Sequence, residues 1–360
     1  MNISSRFAST VGGGYCNTSS GNSSTVSGGL RNTSSGYCST VGGGSNNASS
    51  GYYSTVSGGY INASSGCGST VGGGRNNTSI GLYSSIGGGT GNTTSGIYTF
   101  VGGGRKNTIL TGSTSSTISG GECNTILTGS TYSTIGGGYF NTSSGSNSTV
   151  GGGCENISSG ANSTVGGGRL NTSSGNCSTV GGGRQNTSSS YYSTIGGGYC
   201  NTSSGVRSTV SGGYLNVSSA NSSTVSGGYN NTSSSFSSTV GGGRNNTSIG
   251  QYSTVSGGYK NTSSGYVSTI GGGRQNTSIG QYSSVLGGRQ NTSIGQYSSV
   301  LGGSGNTVTN DYSFIVGNSI VSDRTCSTFV NNLSIMNIPT SSVGLPTGSV
   351  YSDACVLKIV

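Results

Sequence analysis

One aliphatic side chain punctuates this chain at near-constant intervals. Val or Ile stands at Val11, Val26, Val41, Val56, Val71, Ile86, Val101, Ile118, Ile135, Val150, Val165, Val180 and onward to Val300. These are twenty positions joined by nineteen steps; seventeen steps are 15 residues long and two are 17. The residues between them are small and polar. The composite unit reads Val/Ile-Gly/Ser-Gly-Gly-x-x-Asn-Thr-Ser-Ser-Gly-x-x-Ser-Thr, numbered here as positions 1 to 15. A period this short, held over some 300 residues, marks a solenoid whose coils cannot stand alone.

The unit holds two short runs, Ser-Thr-Val and Asn-Thr-Ser-Ser, separated by Gly-Gly and by Gly-x-x. Gly supplies positive-φ corners, Thr and Val suit a pleated backbone, and each Gly inside a helix costs about 1 kcal/mol. Both prolines, Pro339 and Pro346, lie outside the repeats, as expected if Pro deletes a ladder hydrogen bond. The pattern predicts an all-β parallel β-solenoid of about 20 coils over residues 1–310, with 17-residue coils at 101–135. Position 1 is expected to point inward. Position 8, never charged, is expected to face the interior from the opposite strand. Gly fills positions 3 and 4 in all twenty copies, which suggests a corner where a Cβ clashes or where neighbouring chains meet. Position 7 is Asn throughout, so Asn17, Asn32, Asn47, Asn62, Asn77 and their successors are expected to form an amide ladder along the axis. At one coil per strand spacing the rod is about 100 Å long.

Composition narrows the function. Among 360 residues there are 74 Gly, no His and no Trp, and only 5% are charged. Without histidine no Ser-His or Cys-His pair and no His-based metal site exists. The five acids (Glu122, Glu155, Asp311, Asp323, Asp353) are far apart in sequence, which argues against a paired-carboxylate mechanism or a calcium cage. A non-enzymatic protein without cofactors is expected. No segment reaches the apolar length of a membrane span, and the N-terminus lacks a basic-then-apolar run, so the chain is expected either to be a mature fragment or to assemble inside a cell without export, and not to insert in a membrane.

The repeat Ser-Thr-Val-Gly-Gly-Gly-x-x-Asn-Thr-Ser-Ser-Gly resembles the head repeats of YadA-type trimeric autotransporter adhesins, over about residues 1–310. Its period is one residue longer, and Asn replaces a common Ala. The resemblance implies a left-handed parallel β-roll in a homotrimer, with positions such as Val11, Val41 and Val150 lining the roll or the trimer core. Residues 311–360 change character: Gly thins out and apolar alternation appears in Ser313-Phe314-Ile315-Val316, Phe329 to Ile335, and Val356 to Val360. This reads as a small β-rich cap or trimerisation tail. Its pattern, with Leu345-Pro346-Thr347-Gly348 and Leu357-Lys358-Ile359-Val360, is similar to C-terminal ends of fibre and structural proteins of tailed phages and giant viruses.

Candidate chemistry sits at position 5. It is Arg in seven copies and Tyr in seven, and the run Arg169, Arg184, Tyr199, Tyr214, Tyr229, Arg244, Tyr259, Arg274, Arg289 is expected to queue in one row. Two readings stay open: a stripe for anionic host-surface glycans, or Arg and Tyr stacking on each other to stiffen the surface. A second Tyr row occupies position 13 (Tyr53, Tyr83, Tyr98, Tyr192, Tyr252, Tyr282, Tyr297). The net charge of +9 is spread too thinly for nucleic-acid binding to be expected. Seventeen of the twenty position-7 asparagines lie in Asn-x-Ser/Thr sequons, read as ladder residues rather than glycan acceptors. Nine scattered Cys, without CxxC, give no disulfide framework or zinc site. In the 17-residue coils, Ile109, Leu110, Ile126 and Leu127 are expected to fill a local swelling.

The function expected is a structural fibre on a virion surface, a rigid spacer or attachment appendage. Its expected partners are copies of itself in a homotrimer and other virion structural proteins. A bacterial-type cell-surface adhesin is the alternative. An ice-binding solenoid ranks third, because no Thr-x-Thr pair shares a flat face.

Overall fold

The computed structural model describes residues 1–334, 338–347, 349–353 and 356–359. Over the repeats the chain winds into an all-β parallel solenoid, and the described residues contain no helix. Each coil contributes two strands of two residues. Positions 15 and 1 stack into a sheet of 22 strands, the Val sheet, and positions 8 and 9 into one of 21 strands, the Ser sheet. Pairing is parallel and in register from coil to coil: Thr25 opposite Thr40 and Val26 opposite Val41. The two 17-residue coils keep it, with Thr108 opposite Thr125 and Thr117 opposite Thr134. Position 5 adds a third ladder of single bridges, from Tyr15–Leu30 to Arg289–Ser304.

Side chains alternate along the Asn-Thr-Ser-Ser run as a strand requires. Asn17 and Ser19 are buried while Thr18 is half-buried on the outside and Ser20 lies on that same face. Position 8 therefore points outward, contrary to expectation: Ile157, at this position, is 41% exposed. Lack of charge there reflects a neutral outer face, and position 9 is the inward residue. Its serine meets the position-14 serine across the interior, with Ser19 Oγ 2.7 Å from Ser24 Oγ. Ser24 Oγ in turn donates to Gly21 O at 2.7 Å. One aliphatic per coil suffices because these hydroxyls satisfy one another in a lumen too narrow for larger side chains. Val26, Val41, Val56, Val71, Val150, Val165 and Val180 are fully buried in it. Val11, in the first coil, packs against that column but is only partly covered.

The asparagine ladder is present throughout. Asn32 donates Nδ2 to Gly28 O and to Gly44 O of the next coil, each at 2.9 Å. Its own backbone N–H reaches back to Asn17 Oδ1 at 2.9 Å. Asn47, Asn62 and Asn77 repeat the pattern, and it continues to Asn306. A buried side chain thus closes the corner of each coil and ties it to both neighbours.

Two kinds of corner appear. Position 4 needs Gly: at Gly14 φ is +83°, and a Cβ would stand 2.1 Å from Gly29 O. Positions 6 and 13 also take positive φ, yet carry mostly other residues, including Ile61 at +54° and Val267 at +53°. Such values are outliers for β-branched side chains. In the long coils Ile109 and Ile126 stand in for the position-9 serine and are fully buried. Their neighbours Leu110 and Leu127 turn outward, Leu127 being 38% exposed. The position-14 serine, without its usual partner, finds another acceptor, Ser116 Oγ donating to Ser130 O at 2.7 Å.

The rungs continue beyond residue 310. Phe314–Asn318 pairs in parallel with Ser299–Ser304, and Thr328–Val330 follows, after an irregularity between Val300 and Gly302. Ile320 and Phe329 pack against the end of the valine column. Val350–Asp353 and Val356–Ile359 then form an antiparallel hairpin. Ile335, Cys355 and Val360, parts of the expected cap, lie outside the described residues.

Candidate functional site

The position-5 row projects from the bridge ladder, so its side chains queue at coil spacing on one edge of the rod. Tyr199 and Tyr214 stack with ring centroids 5.2 Å apart, and Tyr214 and Tyr229 at 5.0 Å. The guanidinium carbon of Arg244 lies 5.0 Å from the Tyr229 centroid and 5.9 Å from that of Tyr259. Arg274 covers Tyr259 at 5.6 Å, and Arg184 covers Tyr199 at 5.4 Å. From Arg184 to Arg274 the row is one ladder of π faces and cations. Both faces of Tyr214, and both of Tyr259, are occupied by neighbours. A sugar ring therefore has no tyrosine face to stack on within this run, and only phenol edges and guanidinium N–H groups remain for recognition.

At each end of the ladder two arginines occupy adjacent rungs, Arg169 with Arg184 and Arg274 with Arg289. Such pairs present paired donor forks suited to carboxylate, sulfate or phosphate. Elsewhere in the row Arg105 already holds an anion, with Nη2 2.8 Å from Glu122 Oε1 on the next coil. That pair is well exposed and adds little stability.

The position-13 row stacks in two stretches. Tyr83 and Tyr98 lie 5.2 Å apart, and Tyr282, Tyr297 and Tyr312 at 4.9 and 5.1 Å. Desolvation in this stack, with Tyr266 and Tyr297 alongside, raises the Tyr282 phenol above its ordinary value. These rings sit on the strained corner, Tyr282 and Tyr297 having φ of +57° and +54°.

The position-7 sequon asparagines are sealed. Asn171 is fully buried and its Nδ2 donates to Gly167 O and Gly183 O, so the glycan acceptor nitrogen is already committed. Among the described residues no group of three or more His, Cys, Asp or Glu lies close enough to hold a metal ion. Cys16, Cys38, Cys67, Cys123, Cys154, Cys177, Cys200 and Cys326 are free thiols. The sequence pattern pointed to both tyrosine rows, but it carried no sign that ring faces would be consumed by their neighbours.

No helix is long and apolar enough to cross a membrane among the described residues. Comparison with known proteins returns no matching family model and no matching curated protein.

Proposed function

We propose that the chain is a non-enzymatic structural fibre of a virion surface, a stiff spacer that displays an attachment edge. The single observation carrying this reading is the unbroken parallel register of the rungs from Ile3 to Ser299, which makes a long rod with little else in it. Every coil is clamped to the next by backbone bonds and by a buried asparagine, so bending the rod breaks many bonds together. The tail pattern around Leu345-Pro346-Thr347-Gly348 supports the viral assignment through its resemblance to fibre ends. In this reading the shaft is a homotrimer joined to other virion structural proteins. The arginine pairs at 169/184 and 274/289 are its candidate contacts for anionic host glycans. Antibody-gold electron microscopy of purified particles tests it: label on surface projections is expected, and label confined to particle-free fractions refutes it.

The outward turn of position 8 favours a second reading. Thr187 and Ser189 share the outer face of the Ser sheet, an uncharged Thr-x-Ser pair that nine of the twenty coils carry. Measurable thermal hysteresis supports that reading, and its absence at high protein concentration dismisses it.

A further inference from the structure

The outer face of the Val sheet changes at its C-terminal end. Position 2 is Gly or Ser in the first eighteen coils, then becomes Leu286 and Leu301. Val316 and Val330 extend the same edge on the following rungs, with Phe314 beside them. All five are solvent-facing: Leu286 is 54% exposed, Leu301 47%, Val316 44%, Phe314 41% and Val330 37%. An open cleft of about 290 Å³, lined by Tyr312, Phe314 and Thr328 among others, adjoins them. No charged residue occupies positions 15 or 1 to 4 in any coil. Nothing in the fold of one chain calls for this change, since eighteen coils close with Gly or Ser there.

The adjoining row points the same way. Position 3 is Gly in all twenty coils, yet a Cβ at Gly167, Gly182, Gly197, Gly287 or Gly302 would meet nothing within 4 Å. Six glycines of the row, Gly73 among them, have φ between +153° and +158°, where a side chain is strained. At the other fourteen a Cβ would meet nothing closer than 3.9 Å.

We infer that copies of this chain lie side by side and parallel along this edge, with Leu286, Leu301, Phe314, Val316 and Val330 as the apolar anchor. This rests on the rod of the proposed function and names the surface through which rods associate. A second copy is the occupant the geometry favours, because it shares the rung spacing along its whole length. Parallel orientation sets leucine against leucine, whereas antiparallel orientation sets it against Gly and Ser. A strip about 10 Å wide along a rod about 100 Å long buries on the order of 1,000 Å² per copy. That exceeds the roughly 800 Å² per partner of a stable interface. The five anchor side chains alone fall short of it, so the flat glycine row has to contribute.

The test is light scattering and sedimentation of the full chain, with two variants. Leu286→Ser/Leu301→Ser/Val316→Ser restores the small residues of earlier coils. Gly182→Arg, distant from the anchor, places a side chain into space that one chain leaves open. Wild type is expected to be a dimer or trimer at about 10 µM, with each variant weakening association on the order of 100-fold or more. Unchanged circular dichroism and single rods in micrographs show that the variants still fold. A monomeric wild type overturns the inference, whether its own C-terminal hairpin or nothing covers the row. So does wild-type mass in either variant. Absence of rods from every sample instead defeats the proposed function.

Discussion

Removing one rung of the asparagine ladder tests how the rod is held. In Asn201→Ala, three bonds at 2.9 Å vanish, Nδ2 to Gly197 O, Nδ2 to Gly213 O and the Asn216 N–H to Oδ1, with a fourth of 3.1 Å from Nδ2 to Asn186 Oδ1, an oxygen that keeps the Asn201 N–H. The losses are unequal. Gly213 O keeps the Tyr199 N–H at 2.9 Å, and Gly197 is half-exposed, so water can replace its partner. The Asn216 N–H is buried and loses its acceptor, which costs about 1–3 kcal/mol, while the bond to Gly213 adds about 1. A loss of roughly 3 kcal/mol is expected, concentrated in the two coils concerned. Because a long repeat array need not unfold in one step, amide hydrogen exchange is the better assay. Protection at Asn216 should fall on the order of 100-fold, while exposed Asn221→Ala changes stability by less than about 0.5 kcal/mol. Asn201→Asp adds a signed pH dependence. Its carboxylate faces two carbonyl oxygens, which raises its folded pKa, so the loss is small below about pH 4 and grows as pH rises through the raised value. Unchanged protection of Asn216 in Asn201→Ala would refute the ladder's structural role.

Three further outcomes follow from the same geometry. Gly183→Ala puts a Cβ 2.1 Å from Gly198 O at φ +85°, whereas Gly182→Ala meets nothing within 4 Å; thermal melts should separate the two by more than about 2 kcal/mol. Val267→Asn relieves a β-branched residue at φ +53° and should stabilise the rod by about 1 kcal/mol in chemical denaturation, equal stability arguing against strain there. The raised Tyr282 phenol contributes stability that is complete below the ordinary tyrosine value and is lost as pH rises through its folded one. A tyrosinate absorbance titration should therefore contain an upshifted component, shared with Tyr192 and Tyr199, that Tyr282→Phe reduces by one residue.

The fold was legible where residue identity repeats for a reason internal to the coil. Val at position 1, Asn at position 7 and Gly at position 4 each meet a demand that only those residue types satisfy, so period and identity together revealed the solenoid. Position 8 misled because a neutral residue on an outer face has the same sequence signature as a buried one. Alternation from the buried Asn17 through Thr18 to Ser19 was the available signal. The strained corners at positions 6 and 13 left no trace, since stacking and ladder bonds hold Ile61 or Tyr282 there regardless of propensity. Leu286 and Leu301 were visible as breaks in the repeat, but only their exposure gave the break a meaning. The position-5 row was found correctly as a row. Its chemistry depended on ring-to-ring distances that sequence does not carry.

The central claim is that the coils stack in register along one axis. Diffraction from aligned rods measures this directly. The account predicts a meridional reflection at about 4.8 Å from rods about 100 Å long, because the strands run across the axis. A reflection of that spacing on the equator, or scattering from a compact particle of this mass, contradicts it.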